Sequence, residues 1–111
     1  MTEYLLLAAK EHYLKNTLMQ AYLSEGYCLA YEKDGYIILR KGEYLEKEEV
    51  LLSVIVSHAK RRRFLTSSPS CLTSLINRHH SRLLTDGFQS LKFNDPFLME
   101  MKQLLTQLTL P

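Results

Sequence analysis

Residues 27–40, YCLAYEKDGYIILR, decide the fold class, because they hold the clearest β signal in the chain. Two arms rich in tyrosine and branched apolar residues flank Asp34-Gly35, a pair that supplies the positive φ of a tight turn with a bulge. Residues 27–31 and 36–40 are therefore predicted to form a β-hairpin. Strict alternation would put Tyr27, Leu29 and Tyr31 on one face and Cys28 and Ala30 on the other. Two strands alone are marginal in water, so the hairpin needs a helix, a third strand or another subunit to lie on.

Toward the N-terminus, residues 3–24 read as one helix. Thr2 is placed to cap it and Glu3 to meet its positive end. Leu7, Leu14, Leu18 and Ala21 recur on one face, joined by Tyr4 and Tyr22. Gly26 follows as a C′ residue that tolerates the left-handed conformation ending a helix.

Toward the C-terminus, Lys41-Gly42 breaks the hairpin and residues 44–63 read as a second helix. Its apolar residues, Leu45, Val50, Leu51, Leu52, Val54, Ile55 and Val56, cover a broad arc, as expected of a central helix packed on more than one side. Ser68-Pro69 and Asp95-Pro96 each offer a capping side chain followed by a proline suited to the first helical position. The third helix then carries Leu72, Leu75, Ile76, His79 and Leu83 and stops at Asp86-Gly87. The fourth carries Phe97, Met101, Leu104, Leu105 and Leu108. Between them, residues 88–93 read as a short third strand. The predicted order is α-β-β-α-α-(β)-α, an α+β, mostly helical fold with four helices in a single compact domain over residues 1–111.

A chain of 111 residues, 46% apolar and 23% charged, has the composition of an ordinary folded domain. No apolar run approaches the ~20 residues of a membrane span, and MTEYLLLAAK has an acid where a secretion signal would be basic. A cytoplasmic protein is expected. Cys28 and Cys71 fit neither a disulfide framework nor a zinc site and are expected to be small buried hydrophobes.

Charge is sorted along the chain. Residues 1–56 hold six Lys/Arg against nine acids, whereas residues 57–95 hold seven against Asp86 and Asp95 alone. Helix 2 begins acidic, with Glu43, Glu46, Glu48 and Glu49, and ends on Lys60, Arg61, Arg62 and Arg63. Carboxylates at the positive end of a helix and cations at its negative end are favourable, but four consecutive cations exceed that need. With Arg78 and Arg82, four apart on helix 3, they form a candidate surface for nucleic acid or an acidic partner. The serines and threonine opening helix 3 could add phosphate-binding groups. Against nucleic acid stand a pI of about 8.5, below the value of about 9 that flags such domains, and a poor match to helix-turn-helix geometry.

No catalytic constellation emerges: no nucleophile elbow, no glycine-rich phosphate loop, no recognisable pair of carboxylates. Cys71 near a helix start could have a lowered thiol pKa, but a core contact beside Leu72 and Leu75 accounts for it. His79 shares the apolar stripe of helix 3 and reads as a core histidine, His80 points elsewhere, and His58 sits on the Leu51/Ile55 side of helix 2. No metal or cofactor is expected. Tyr22, Tyr27, Tyr31, Tyr36 and Tyr44 cluster around the hairpin, and tyrosine suits protein interfaces.

The expectation is a non-catalytic adaptor or regulatory protein, not an enzyme, that binds a protein partner or a second copy of itself. Tyr27, Tyr31 and Tyr36 would lie at that interface, with the apolar side of helix 1 or helix 4. The alternative is a small nucleic-acid-binding regulator using Lys60, Arg61, Arg62, Arg63, Arg78 and Arg82. No small-molecule substrate is expected.

Overall fold

The Asp34-Gly35 turn forms with positive φ at both residues, 53° and 87°, the conformation that matches the right-handed twist of paired strands. It joins β2 (Cys28–Lys33) to β3 (Tyr36–Lys41). A computed structural model describes residues 1–88 and 91–108.

The third strand that the hairpin requires comes from the N-terminus. Residues 3–24 are not one helix: they divide into β1 (Glu3–Leu7) and α1 (His12–Ser24). β1 pairs antiparallel with β3, Leu6 opposite Ile38 and Leu7 opposite Ile37. Its other edge takes β4 (Ser70–Cys71), giving a four-stranded antiparallel sheet in the order β2-β3-β1-β4. A strand covered on both faces is apolar on both, so YLLL lacks the alternation that would separate it from a helix turn. Thr2 caps no helix. It is buried ahead of β1, and its hydroxyl donates to the Glu43 carbonyl at 2.9 Å.

The remaining helices are α2 (Glu48–Arg61), α3 (Thr73–Asp86) and α4 (Pro96–Leu108). α3 starts after β4 rather than at Pro69. The Leu72 amide donates to the Tyr4 carbonyl at 2.9 Å, and the Tyr4 amide donates to Thr73 Oγ1 at 3.0 Å. Satisfying the open edge of β1 thus claims the residues that would have made the first turn. α4 begins as expected: Asp95 Oδ1 accepts the Phe97 amide at 2.8 Å, with Pro96 in the first turn. Of the strand expected at 88–93, residues 89 and 90 lie outside the described residues, and Phe88 and 91–93 are not in a strand.

Helix ends follow local rules. After α1, Gly26 at φ 100° lets the Tyr27 amide reach back to the Tyr22 carbonyl, and the two tyrosine rings meet edge to face at 5.4 Å. This is the double hydrogen bond and apolar clasp of a Schellman end. α2 ends the same way: the Phe64 amide bonds to Ala59 and the Arg63 amide to Lys60. Here the left-handed position is an arginine, Arg63, at φ 52°.

Two cores result. Leu7, Ile37 and Leu39 face α1, meeting Leu18, Met19, Tyr22 and Tyr27. Tyr4, Leu6 and Ile38 face the opposite way, into the larger core with Leu52, Ile55, Ile76, Phe97 and Met101 from α2, α3 and α4. Glu48 is drawn into this core at the start of α2. Its carboxylate accepts from the Tyr4 hydroxyl at 2.5 Å and pairs with Arg40. No helix among the described residues is long and apolar enough to cross a membrane.

Candidate interaction surfaces

Of the six cations singled out in the sequence, three are held by acids of the same molecule. Lys60 Nζ donates to Asp34 Oδ2 at 2.8 Å, tying the end of α2 to the hairpin turn. Arg82 grips Asp95 with two hydrogen bonds, at 2.8 and 3.1 Å, and Arg78 bonds Glu100 at 2.6 Å. α4 lies against both α2 and α3, and its acids take up the arginines of α3. β4 also interrupts the connection from α2 to α3, so the pair is not a helix-turn-helix. Arg61, Arg62 and Arg63 are exposed and make no ion pair among the described residues.

The engaged acids respond accordingly. The Arg82 hydrogen bonds hold the Asp95 carboxyl below its ordinary pKa, aided by the Phe97 amide, and desolvation opposes them only in part. Glu100 is held low first by His79 and then by Arg78. His79 is buried as expected, edge to face with Phe97 at 5.5 Å. Its Nε2 stands 3.0 Å from Glu100 Oε2. His80 Nε2 donates to the Glu46 carbonyl at 2.8 Å.

The three hairpin tyrosines are separated as well. A bulge between Leu29 and Tyr31 shifts the β2–β3 register, and such an extra residue moves everything beyond it to the other face. Tyr27 accordingly packs against the α1 core, whereas Tyr31 packs against the larger core beside Tyr36. Tyr36 is only 9% exposed. Tyr27 therefore does not share a face with Tyr31 and Tyr36. Cys28 and Cys71, expected to be buried, are both exposed free thiols, because they fall on β2 and β4, the two edges of the sheet.

The surface that the structure does assemble lies between the end of α2 and the start of α4. A slot of about 190 Å³ is lined by His58, Arg62, Phe93, Leu98, Met99 and Lys102. Phe93 is 94% exposed and Met99 58%. Arg62 and Lys102 are exposed, and among the described residues no carboxylate lines the slot. The cationic setting registers on His58, whose pKa is lowered first by desolvation and then by Arg61 and Arg62. Small-molecule pockets run about 300–1,000 Å³, so this slot falls below that range.

Larger depressions are less distinctive. One of about 480 Å³ sets Lys10 and Arg63 against Glu11, and one of about 350 Å³ includes Arg78 and Glu100, already paired with each other. Among the described residues no three His, Cys, Asp or Glu side chains are grouped to hold a metal. Sequence reading missed the slot, although two signals for it existed. Met99 stands off the Phe97/Met101/Leu104/Leu105 stripe of α4, and Phe93 precedes the Asn94-Asp95-Pro96 helix start, where a loop is exposed. Comparison with family models, with curated proteins and with solved structures finds no match to this chain.

Proposed function

We infer that this protein is a non-catalytic adaptor that acts by binding protein, and that the α2–α4 slot is where it does so. The observation that carries this reading is an almost fully exposed Phe93 beside an apolar slot whose rim cations, Arg62 and Lys102, make no ion pair among the described residues. A large apolar side chain held in water is unfavourable by about 1.5–3 kcal/mol relative to burial, and aromatic and methionine residues are enriched where partners dock. The partner chemistry that fits is an apolar anchor flanked by carboxylates, and self-association belongs to the same reading. Two exposed free thiols accord with a reducing, cytoplasmic setting.

The test is Phe93→Asp/Met99→Asp, which changes exposed positions only. Light scattering across concentration and affinity capture should show associations of the wild-type protein that the variant loses. A variant that keeps every wild-type association refutes the reading, as does a wild-type protein that binds nothing, itself included. The nucleic-acid alternative retains Arg61, Arg62 and Arg63 but loses Lys60, Arg78 and Arg82 to internal acids. It predicts duplex binding that weakens steeply with salt and disappears in Arg61→Glu/Arg62→Glu.

A further inference from the structure

The chain carries its own match for the slot. At the opposite end of α2, Tyr44 is 57% and Val50 43% exposed; exposed Glu43, Glu46 and Glu49 share their segment with Lys47, and the Arg40 guanidinium over the Tyr44 ring is already paired with Glu48. Apolar groups flanked by carboxylates are the complement of apolar groups flanked by Arg62 and Lys102. Val50 stands in the first turn of α2 and Arg62 at its C-terminal cap, so knob and slot lie toward opposite ends of the helix. Twelve residues at 1.5 Å each separate them by roughly 18 Å. They cannot meet within one molecule.

We propose that the acidic knob around Tyr44 and Val50 docks into the α2–α4 slot of a second copy, so that the protein assembles head to tail. This rests on the slot being a protein-binding site and names its occupant. Such a contact joins two different patches, so each added copy presents a fresh knob and a fresh slot. Assembly then continues until a ring closes or remains an open chain. Charge complementarity sets the register, since the reverse juxtaposition would bring like charges together.

The test uses two charge-reversed variants at exposed positions. Arg62→Glu/Lys102→Glu spoils the slot and leaves the knob; Glu46→Lys/Glu49→Lys spoils the knob and leaves the slot. Wild-type protein should show a mass that rises with concentration past that of a dimer and falls with salt. Each variant alone should remain a 13.0 kDa monomer, with an unchanged circular dichroism spectrum. Mixed in equal amounts, they should associate again, because the intact knob of one meets the intact slot of the other and the two reversed patches are once more opposite in sign. A mixture that stays monomeric overturns the proposal, as do variants that still self-associate singly or a wild-type protein that is strictly monomeric. If the wild type binds a foreign protein through Phe93 and Met99 while the mixture stays monomeric, the slot is a binding site and only the occupant is wrong.

Discussion

Glu48→Ala should be among the most damaging single substitutions away from the apolar core. The carboxylate is 1% exposed and holds two partners, the Tyr4 hydroxyl and the Arg40 guanidinium. Burial first, and then Glu48 itself, push the Tyr4 pKa far above its ordinary value, so the hydroxyl stays protonated and donates. Arg40 Nε already lacks a partner. With Glu48 gone, the guanidinium keeps only its place over the Tyr44 ring, 5.4 Å from the centroid. Breaking a buried pair from one side costs about 3–5 kcal/mol, and the aromatic contact offsets about 0.5–1. The expected loss is about 3 kcal/mol, from the 5–15 or so that hold a typical domain. Tyr4→Phe removes one hydrogen bond to a charged group, worth about 1.5–3 kcal/mol, and should fall at the low end because Phe leaves no orphaned hydroxyl. In the double variant the Tyr4 hydroxyl orphaned by Glu48→Ala is absent while Arg40 stays unpaired, so the two losses should sum to more than the combined effect, with a coupling between about 0.5 and 3 kcal/mol. Urea unfolding of the four proteins measures this, provided the denaturant slope is unchanged. A Glu48→Ala loss below about 1 kcal/mol, or strict additivity, would refute the reasoning.

Arg63→Gly should raise stability by about 1 kcal/mol, because a left-handed backbone strains any side chain with a Cβ; Arg63→Ala should not, and thermal unfolding of both variants separates the two outcomes. Asp95→Ala loses a helix cap worth about 1 kcal/mol together with the two Arg82 bonds, and a value near zero in chemical denaturation would contradict the geometry. Asp95 and Glu100 have folded pKa values below their reference values of 3.8 and 4.5. The unfolded chain therefore binds protons first, and the stability these groups confer is complete above about pH 4.5 and lost as pH falls through the lower folded values. Asp95→Asn should flatten that acid limb, and an unchanged pH profile would rule the linkage out. Leu6→Ala, in the middle of β1, should cost about 2–5 kcal/mol; a surface-like loss below about 0.5 would mean that residues 3–7 are not the central strand.

Local chemistry was legible wherever a residue's role depends on its immediate neighbours. Asp34-Gly35 turns, Gly26 and Gly87 end helices, Asp95-Pro96 starts one, and His79 joins the apolar stripe of α3; each follows from backbone sterics or helical spacing within a few residues. The sorting of charge along the chain was equally plain in the sequence. What those charges and tyrosines face was not. Whether YLLL becomes strand or helix depends on a partner strand thirty or more residues away, and Ser68-Pro69 lost its helix start to the other edge of β1. A single extra residue in β2 sent Tyr27 and Tyr31 to opposite sides of the sheet. Arg78 and Arg82 met Glu100 and Asp95 only because α4 folds back along α3, and Phe93 and Met99 came to stand beside Arg62 only because α4 also rests on α2. Short-range sterics act before the chain folds, whereas strand pairing and salt bridging depend on which distant segments finally touch.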